Sequence, residues 1–373
     1  MPKLIIFAMP NLKIGGGNRV FIELAKQMAE AGYSVRIVCQ NNSHEVHTFS
    51  VNRNVDVLKI GRPAKNVFKI PYNFLKMLLF LRREKNSMIL ISDPLLCILL
   101  FLVATGKSTV VRFVQADDYR IYDDLKLLKS RFALSIYKLM TKLNYAYDKV
   151  EYIFNSNYSY NCFLTVSKTN NVPLHLVHPA LDHEVFCDMQ IRDENELNIC
   201  LVARKHPCKG FVDFVRAWQG LREKILHRIT RVYIMSYDDL SEFDLTDFVL
   251  IRPTNDSEMA EIYNRSHIFV STSWAEGFGL PALEAMACGC VVILTDAGGV
   301  NEYAAPGQNC LMYKPKNADE LKEKILLAVN NLGLRNELSR NAMETAKKFS
   351  WQKSAEQLEK ALGFTSTLCS PSL

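Results

Sequence analysis

The stretch KLIIFAMPNLKIGGGNRVFIELAKQMAEAGYSVRIVCQ, residues 3–40, decides the fold class. It opens on an apolar run of strand length, KLIIFAM, which Pro10 ends. Three glycines follow, Gly15, Gly16 and Gly17. Next comes RVFIELAKQMAEAG, whose apolar residues recur at helical spacing until Gly32 stops it. YSVRIVCQ is then a second apolar strand. Strand, helix and strand in this order imply a right-handed crossover between parallel neighbours. Strands that are apolar throughout belong to a parallel sheet covered on both faces.

The same alternation continues outward. SMILISD, STVVRFVQ and EYIFNS read as further strands, and DMQIRDENE (188–196), polar and acidic, reads as a linker. Beyond it LNICLVAR, RVYIMS, FVLI, HIFVSTS and VVILTD restart the pattern, with helical stretches between them. The chain has 373 residues, long for a single core. The expected fold is therefore α/β, with two doubly wound Rossmann-like domains facing each other across a cleft. The expected boundaries are 1–187, a linker at 188–196, 197–350, and a last helix with a frayed tail at 351–373. Ligands of such domains sit beyond the carboxyl ends of the strands, and clefts between domains are favoured sites.

Composition is that of an ordinary globular protein, and it narrows the function classes. The ten cysteines are scattered, and Cys288 and Cys290 lack zinc-site spacing. Reduced thiols, a cytoplasmic location and no metal are expected. The N-terminus is too short and too soon broken for a signal peptide, and LLCILLFLVATG (95–106) is too short to span a bilayer. Charge is uneven: residues 1–180 hold 24 Lys+Arg against 12 Asp+Glu, and the remainder 21 against 27. Such asymmetry suggests that the first domain meets an anionic surface or partner. LKLLKSRFALSIYKLMTKLNYAY (125–147) places Lys126, Lys129, Arg131, Lys138 and Lys142 off its apolar face. This is either a helix lying on an anionic membrane or a surface helix with a solvated face. Nucleic acid is not an expected partner.

Four pieces can carry chemistry. Gly15, Gly16 and Gly17 form either a phosphate cradle at a helix N-terminus or an ordinary tight turn. VARKHPCKGF (202–211) sets Arg204 and Lys209 at a strand's carboxyl end, either as a guanidinium and an ammonium suited to a diphosphate or as two solvated loop cations. SWAEGFGLPALEAMACG (273–289) holds Glu276 in a loop and Glu284 about one turn into a helix opened by Pro281 and ended by Gly289. Glycosidase carboxyl pairs stand about 5 to 9.5 Å apart, whereas eight helical residues rise about 12 Å. That spacing suits two grips on one long ligand better than attack on one bond; a capping glutamate and a helix-surface glutamate are the other reading. TDAGGVNEY (295–303) adds a second bare loop at Gly298 and Gly299.

In this order the pieces resemble retaining glycosyltransferases of family 4, which have the GT-B fold, over most of the chain. EGFGLPALE resembles that family's E-x7-E signature, and GGGNRVFIELAKQMAEAGYSV its first glycine loop and helix. ARKHPCKGF resembles its Arg…Lys-Gly element, and ACGCVVILTDAGGVNEY the segment after the signature. The resemblance implies a nucleotide-sugar donor held mainly by the C-terminal domain and a glycan or lipid-linked acceptor held by the N-terminal one. It implies Glu276 on the donor sugar's hydroxyls, Glu284 on the ribose, and Arg204 and Lys209 on the diphosphate. Amides near Gly15, Gly16 and Gly17 would help with the diphosphate, while those of Gly277, Phe278 and Gly279, with Leu280, would face the donor. Anomeric configuration would be retained, by front-side attack assisted by the leaving phosphate. No metal or other cofactor is implied. The helix after Trp351 would cross back to the N-terminal domain, and domain closure would exclude water.

One departure from the family stands out. Many relatives carry a His after the strand matching VVRFV, where this chain reads VQADDYRIY. Gln115 takes roughly that place, with Asp117 and Asp118 beside it on the acceptor side. Gln is no base; an Asp can accept a proton, or can cap a turn instead. The expected activity is sugar transfer in cell-surface polysaccharide or glycolipid assembly, with the protein peripheral on the inner face of the plasma membrane. A nucleotide-sugar 2-epimerase and a non-catalytic nucleotide-sugar-binding subunit are the alternatives.

Overall fold

A computed structural model describes residues 4–13, 15–41, 54–63, 70–123, 130–167 and 172–364. Lys126, Lys129 and the tail from 365 lie outside the described residues. The chain divides into two compact units, residues 1–179 with 351–373, and residues 180–350.

Unit 1 holds strands β1 (Leu4–Met9), β2 (Val35–Gln40), β3 (Asp56–Ile60), β4 (Lys85–Ile91), β5 (Lys107–Val114) and β6 (Val150–Phe154). Its helices are α1 (Gly16–Glu30), α2 (Ile70–Arg83), α3 (Pro94–Cys97), α4 (Leu100–Ala104), α5 (Arg131–Tyr145) and α6 (Asn157–Ser167). Unit 2 holds β7 (Asn198–Val202), β8 (Arg231–Met235), β9 (Val249–Ile251), β10 (Ile268–Val270), β11 (Val291–Thr295) and β12 (Leu311–Tyr313). Its helices are α7 (Phe211–Gln219), α8 (Arg222–Ile225), α9 (Asp256–Asn264), α10 (Leu280–Ala287), α11 (Ala318–Asn330) and α12 (Leu332–Ala346). A last helix, α13 (Trp351–Ala361), returns to unit 1 and packs on α1.

Both sheets are parallel, and they share one winding. Unit 1 runs β3-β2-β1-β4-β5-β6, and unit 2 runs β12-β11-β10-β7-β8-β9. Numbered from its own first strand, unit 2 repeats the 3-2-1-4-5-6 order of a doubly wound fold. Helices cover both faces, so the central strands are buried from end to end: Ile5 to Ala8 and Val291 to Leu294 are about as buried as residues become. This is the physical reason that these strands read as continuous apolar runs.

Residues 188–196 do not hang free as a linker. Met189 N donates to Asn264 Oδ1 at 2.8 Å. Arg192 spans to the carbonyls of Ser266 and Cys288, each at 2.7 Å. The second of these is the C-cap of α10, where a cation complements the helix dipole. The acidic stretch is thus fastened to unit 2, and the division falls before it, at Pro179 and Ala180.

Candidate functional site

In unit 2 the winding reverses between β7 and β10, and ligand crevices of doubly wound sheets open at such a point. Two loops leave the carboxyl ends of these strands. After β7, a short turn at Pro207–Lys209 is capped by His206, whose Nδ1 accepts from Cys208 N at 3.1 Å. Gly210 then takes φ +60, and a Cβ there would lie 2.1 Å from the Thr272 carbonyl oxygen. Only glycine lets the turn press so closely on the loop after β10. Trp274 N donates to Cys208 O at 2.7 Å, and Thr272 Oγ1 to Lys209 O at 2.8 Å. Trp274 Nε1 donates to Asp213 Oδ2 at 2.6 Å, anchoring the same loop to α7.

This stitching brings Lys209 and Glu276 together, with Nζ 2.6 Å from Oε1. Both side chains are partly open to solvent, at 34% and 18% exposure. An ammonium has three donors, so pairing with Glu276 does not use up its capacity for an anionic ligand. Arg204, at the other end of the same β7 loop, faces Asp238: Nε lies 3.1 Å from Oδ2, which also accepts from Lys205 N at 2.7 Å.

The glycine loop after Glu276 is held backbone to backbone. Glu276 N donates to Ala297 O at 2.8 Å, and Gly299 N to Glu276 O at 2.9 Å. A Cβ on Gly299 would stand 2.1 Å from the Gly277 oxygen, so the loop after β11 must be bare there. Gly279 turns at φ +90, and Tyr303 OH donates to its carbonyl at 2.7 Å. Phe278 is buried, its ring against Tyr303 and Phe349, so its side chain supports the loop from beneath. Leu280 is likewise buried, at the first position of α10.

Gly279 and Pro281 open α10, and Gly289, at φ +78, follows its end. Glu284 is only 2% exposed, and its Oε2 accepts from Tyr263 OH at 3.3 Å. Burial first, and then the Glu284 charge, push the Tyr263 hydroxyl well above its usual range, so it stays a donor. The two glutamates of the EGFGLPALE stretch therefore have different partners: Lys209 for one and Tyr263 for the other.

In unit 1, Gly15 is the extended N-cap of α1, and Gly16 and Gly17 form its first turn. Gln115 binds there: its Nε2 donates to Gly17 O at 3.2 Å and to Ser92 Oγ at 2.6 Å, while Asn155 Nδ2 donates to Gln115 O at 2.9 Å. The Gln115 side chain thus ties the end of β4 to the glycine turn, while its backbone carbonyl joins the end of β5 to that of β6 through Asn155. Asp117 keeps a partly exposed carboxylate that accepts from Arg120 N at 3.2 Å, which is turn capping. Asp118 differs from the acceptor-side place expected of it. It is 4% exposed and pairs with the fully buried Arg112, which also donates to Ile91 O at 3.1 Å. Tyr145 OH donates to Asp118 Oδ2 at 3.1 Å, and Tyr137 OH donates to its carbonyl. The reason is geometric: successive residues of a tight loop point to opposite sides, and the inward one met Arg112.

Sequence reasoning did not single out Asp238, Tyr263 or Tyr303, the partners of Arg204, Glu284 and Gly279. Tyr303 stands at the end of TDAGGVNEY, and a polar-tipped aromatic beside a bare loop is the signal that points to it. Asp238 and Tyr263 carry no local signal. Among the described residues, no group of three or more His, Cys, Asp or Glu side chains is placed to hold a metal ion.

Two parallel doubly wound units with this order define a GT-B architecture. It is shared with solved structures such as sucrose-phosphate synthase from Thermosynechococcus elongatus, at a TM-score of 0.79 and 17% identity, over 97% of this chain and 98% of that one. Glycosyltransferase Family 4 matches residues 14–185 and glycosyl transferases group 1 matches residues 188–345. Between them the two family models cover most of the chain, which is a glycosyltransferase carrying both of the domains they describe. An uncharacterized glycosyltransferase of Methanocaldococcus jannaschii is 40% identical over 110 residues, 30% of this chain and 31% of that one. The N,N'-diacetylbacillosaminyl-diphospho-undecaprenol alpha-1,3-N-acetylgalactosaminyltransferase of Campylobacter jejuni is 38% identical over 90 residues, 24% of each chain. The chain thus spans about a third and a quarter of the lengths of these two relatives.

Proposed function

We propose that the chain moves a sugar from a nucleotide-diphosphate sugar to a glycan or lipid-linked acceptor, with retention of configuration and without a metal ion. The Lys209–Glu276 pair carries this reading. It sets a cation and a hydroxyl-binding carboxylate side by side at the winding reversal, next to a loop with bare amides. Family membership and the lipid-linked substrate in the Campylobacter jejuni relative's name support the donor and acceptor classes.

In this mechanism Lys209 and Arg204 meet the diphosphate. As the bond from the anomeric carbon to the phosphate oxygen breaks, negative charge grows on the leaving group, and the two cations stabilise it. Glu276 holds sugar hydroxyls, and Glu284 holds the ribose. The acceptor hydroxyl attacks from the side the diphosphate leaves, and a phosphate oxygen takes its proton. Gln115 and Asp117 lie on the acceptor side, where Gln115 shapes the glycine turn. The role is in cell-surface polysaccharide or glycolipid assembly, at the cytoplasmic face of a membrane.

Release of nucleoside diphosphate is the direct assay, with UDP-, GDP-, dTDP- and ADP-sugars, each with and without acceptor. Lys209→Ala and Glu276→Ala are each expected to lower kcat/KM by about 10²-fold or more. Unchanged turnover in both variants would overturn the site. An inverted product anomer, read by proton NMR, would overturn retention, and loss of activity with EDTA would overturn metal independence. Conversion of a donor to its epimer without acceptor would make the chain an isomerase.

A further inference from the structure

Helices that coat a soluble sheet normally turn a polar face to water. Two helices of unit 1 do not. On α5, the residues at i, i+4, i+7 and i+11 from Phe132 are all apolar and open: Phe132 is 74% exposed, Ile136 44%, Leu139 56% and Leu143 57%. The core-facing side of the same helix buries Tyr137, Thr141, Asn144 and Tyr145. The stripe is therefore a second apolar face, not the seam that holds the helix down. On α2, Tyr72, Leu75 and Leu79 repeat the pattern, each more than 40% exposed.

The two helices belong to one layer. The crossovers from β3 to β4 and from β5 to β6 run the same way along the sheet, so right-handedness puts α2 and α5 on one face. The β1 to β2 crossover runs the opposite way, which puts α1 on the other face. Between the pair, α4 packs on α2, and Asn144 Nδ2 of α5 donates to Cys97 O and Ile98 O at the end of α3.

Charge decides what such a face meets. Neither α2 nor α5 contains an acidic residue, while α2 carries Lys76, Arg82 and Arg83 and α5 carries Arg131, Lys138 and Lys142. Lys138 pairs with Asp123 at 2.6 Å and, with Lys142, lies over the Tyr119 ring. Lys76 lies over the ring of Tyr72. Long cationic side chains beside open aromatic and aliphatic ones suit a boundary between phosphate headgroups and acyl chains. A second copy of this face would bring cation against cation, which disfavours self-association through it. No described helix is long and apolar enough to cross a membrane.

We propose that the α2 and α5 face of unit 1 docks on an anionic lipid surface as a peripheral contact. Phe132, Leu139 and Leu143 enter the headgroup boundary, and the lysines and arginines meet lipid phosphates. The inference rests on the functional reading above only for its purpose, which is to bring the enzyme to a membrane-borne acceptor.

The test uses the full chain, without donor or acceptor, sedimented with phosphatidylcholine vesicles that contain or lack phosphatidylglycerol. At low salt the protein is expected to partition onto phosphatidylglycerol vesicles at least about tenfold more strongly than onto phosphatidylcholine alone, and high salt should weaken this. The double substitution Phe132→Glu with Leu139→Glu should lower the partition about tenfold or more, with melting temperature and transfer to a soluble acceptor unchanged. Both side chains stand well out of the core, so folding is not at stake. Equal binding to both vesicle types, no binding at low salt, or full binding by the double variant would overturn the proposal. So would a dimer in analytical ultracentrifugation that the double substitution dissociates. Because binding is read without catalysis, failure of the transfer assay would count against the functional reading alone.

Discussion

Asp117 and Asp118 are adjacent in the chain and opposite in surroundings. Asp117 caps a turn at the rim, whereas Asp118 sits under it with Arg112, Tyr137 and Tyr145. Burial lifts the Asp118 carboxyl above the ordinary range, and Arg112 pulls against that shift. Asp118→Asn would leave the Arg112 guanidinium buried without a counter-charge, which costs about 3–5 kcal/mol. Urea denaturation should show that loss, while Asp117→Asn should stay within about 1 kcal/mol of the parent. An unchanged midpoint for Asp118→Asn would mean that the pair does not hold the loop. Which of two neighbouring aspartates faces inward was not legible in the sequence, because one residue's rotation along a loop exchanges them. Lys209 and Glu276 were legible as candidates. Their meeting was not, since 67 positions separate them.

At the scale of elements, the strands that sequence reasoning found are those whose apolar runs are continuous. The two it passed over, β3 and β12, are both sheet edges. In β3 all five residues are at least partly exposed, and Asp56 and Lys59 interrupt it, so it presents no run that stands out. The helix of the EGFGLPALE stretch was legible because Pro and Gly punctuate it at both ends. The last helix, α13, was assigned to the N-terminal domain by the family resemblance, but that α1 is the helix it packs on was not legible. It packs on α1 and buries Trp351, Ala355 and Leu358, while Ser354 Oγ donates to His178 O at 2.6 Å. Leu358→Ala should destabilise unit 1 by about 2–5 kcal/mol. Lys360→Ala on the exposed side should change stability by less than about 0.5 kcal/mol. Equal melting temperatures for the two variants would show that α13 adds little.

At the scale of the whole molecule, the two units differ in how their chain is drawn. Unit 2 is one continuous segment with its own core, whereas unit 1 needs residues from both ends of the chain. Residues 180–350 expressed alone should therefore fold cooperatively. If the donor site lies in this unit, saturating nucleoside diphosphate should stabilise it, by about 2.7 kcal/mol at a hundredfold excess over Kd. A fragment that folds but gains nothing from any nucleoside diphosphate would show that unit 2 does not suffice for donor binding. Some things the sequence determined by itself. Apolar runs and helical periods are local, so they named the α/β class, the two-part organisation and the helix that bears Glu284. Glycines at turns are local too, and they marked where backbone must come close. The tertiary structure alone decided which distant side chains meet. It chose Lys209 for Glu276, Tyr263 for Glu284 and Gln115 for the Gly17 carbonyl. Each of those pairings depends on which strands lie side by side in a sheet, and strand order is set by the packing of the whole unit and not by any one segment.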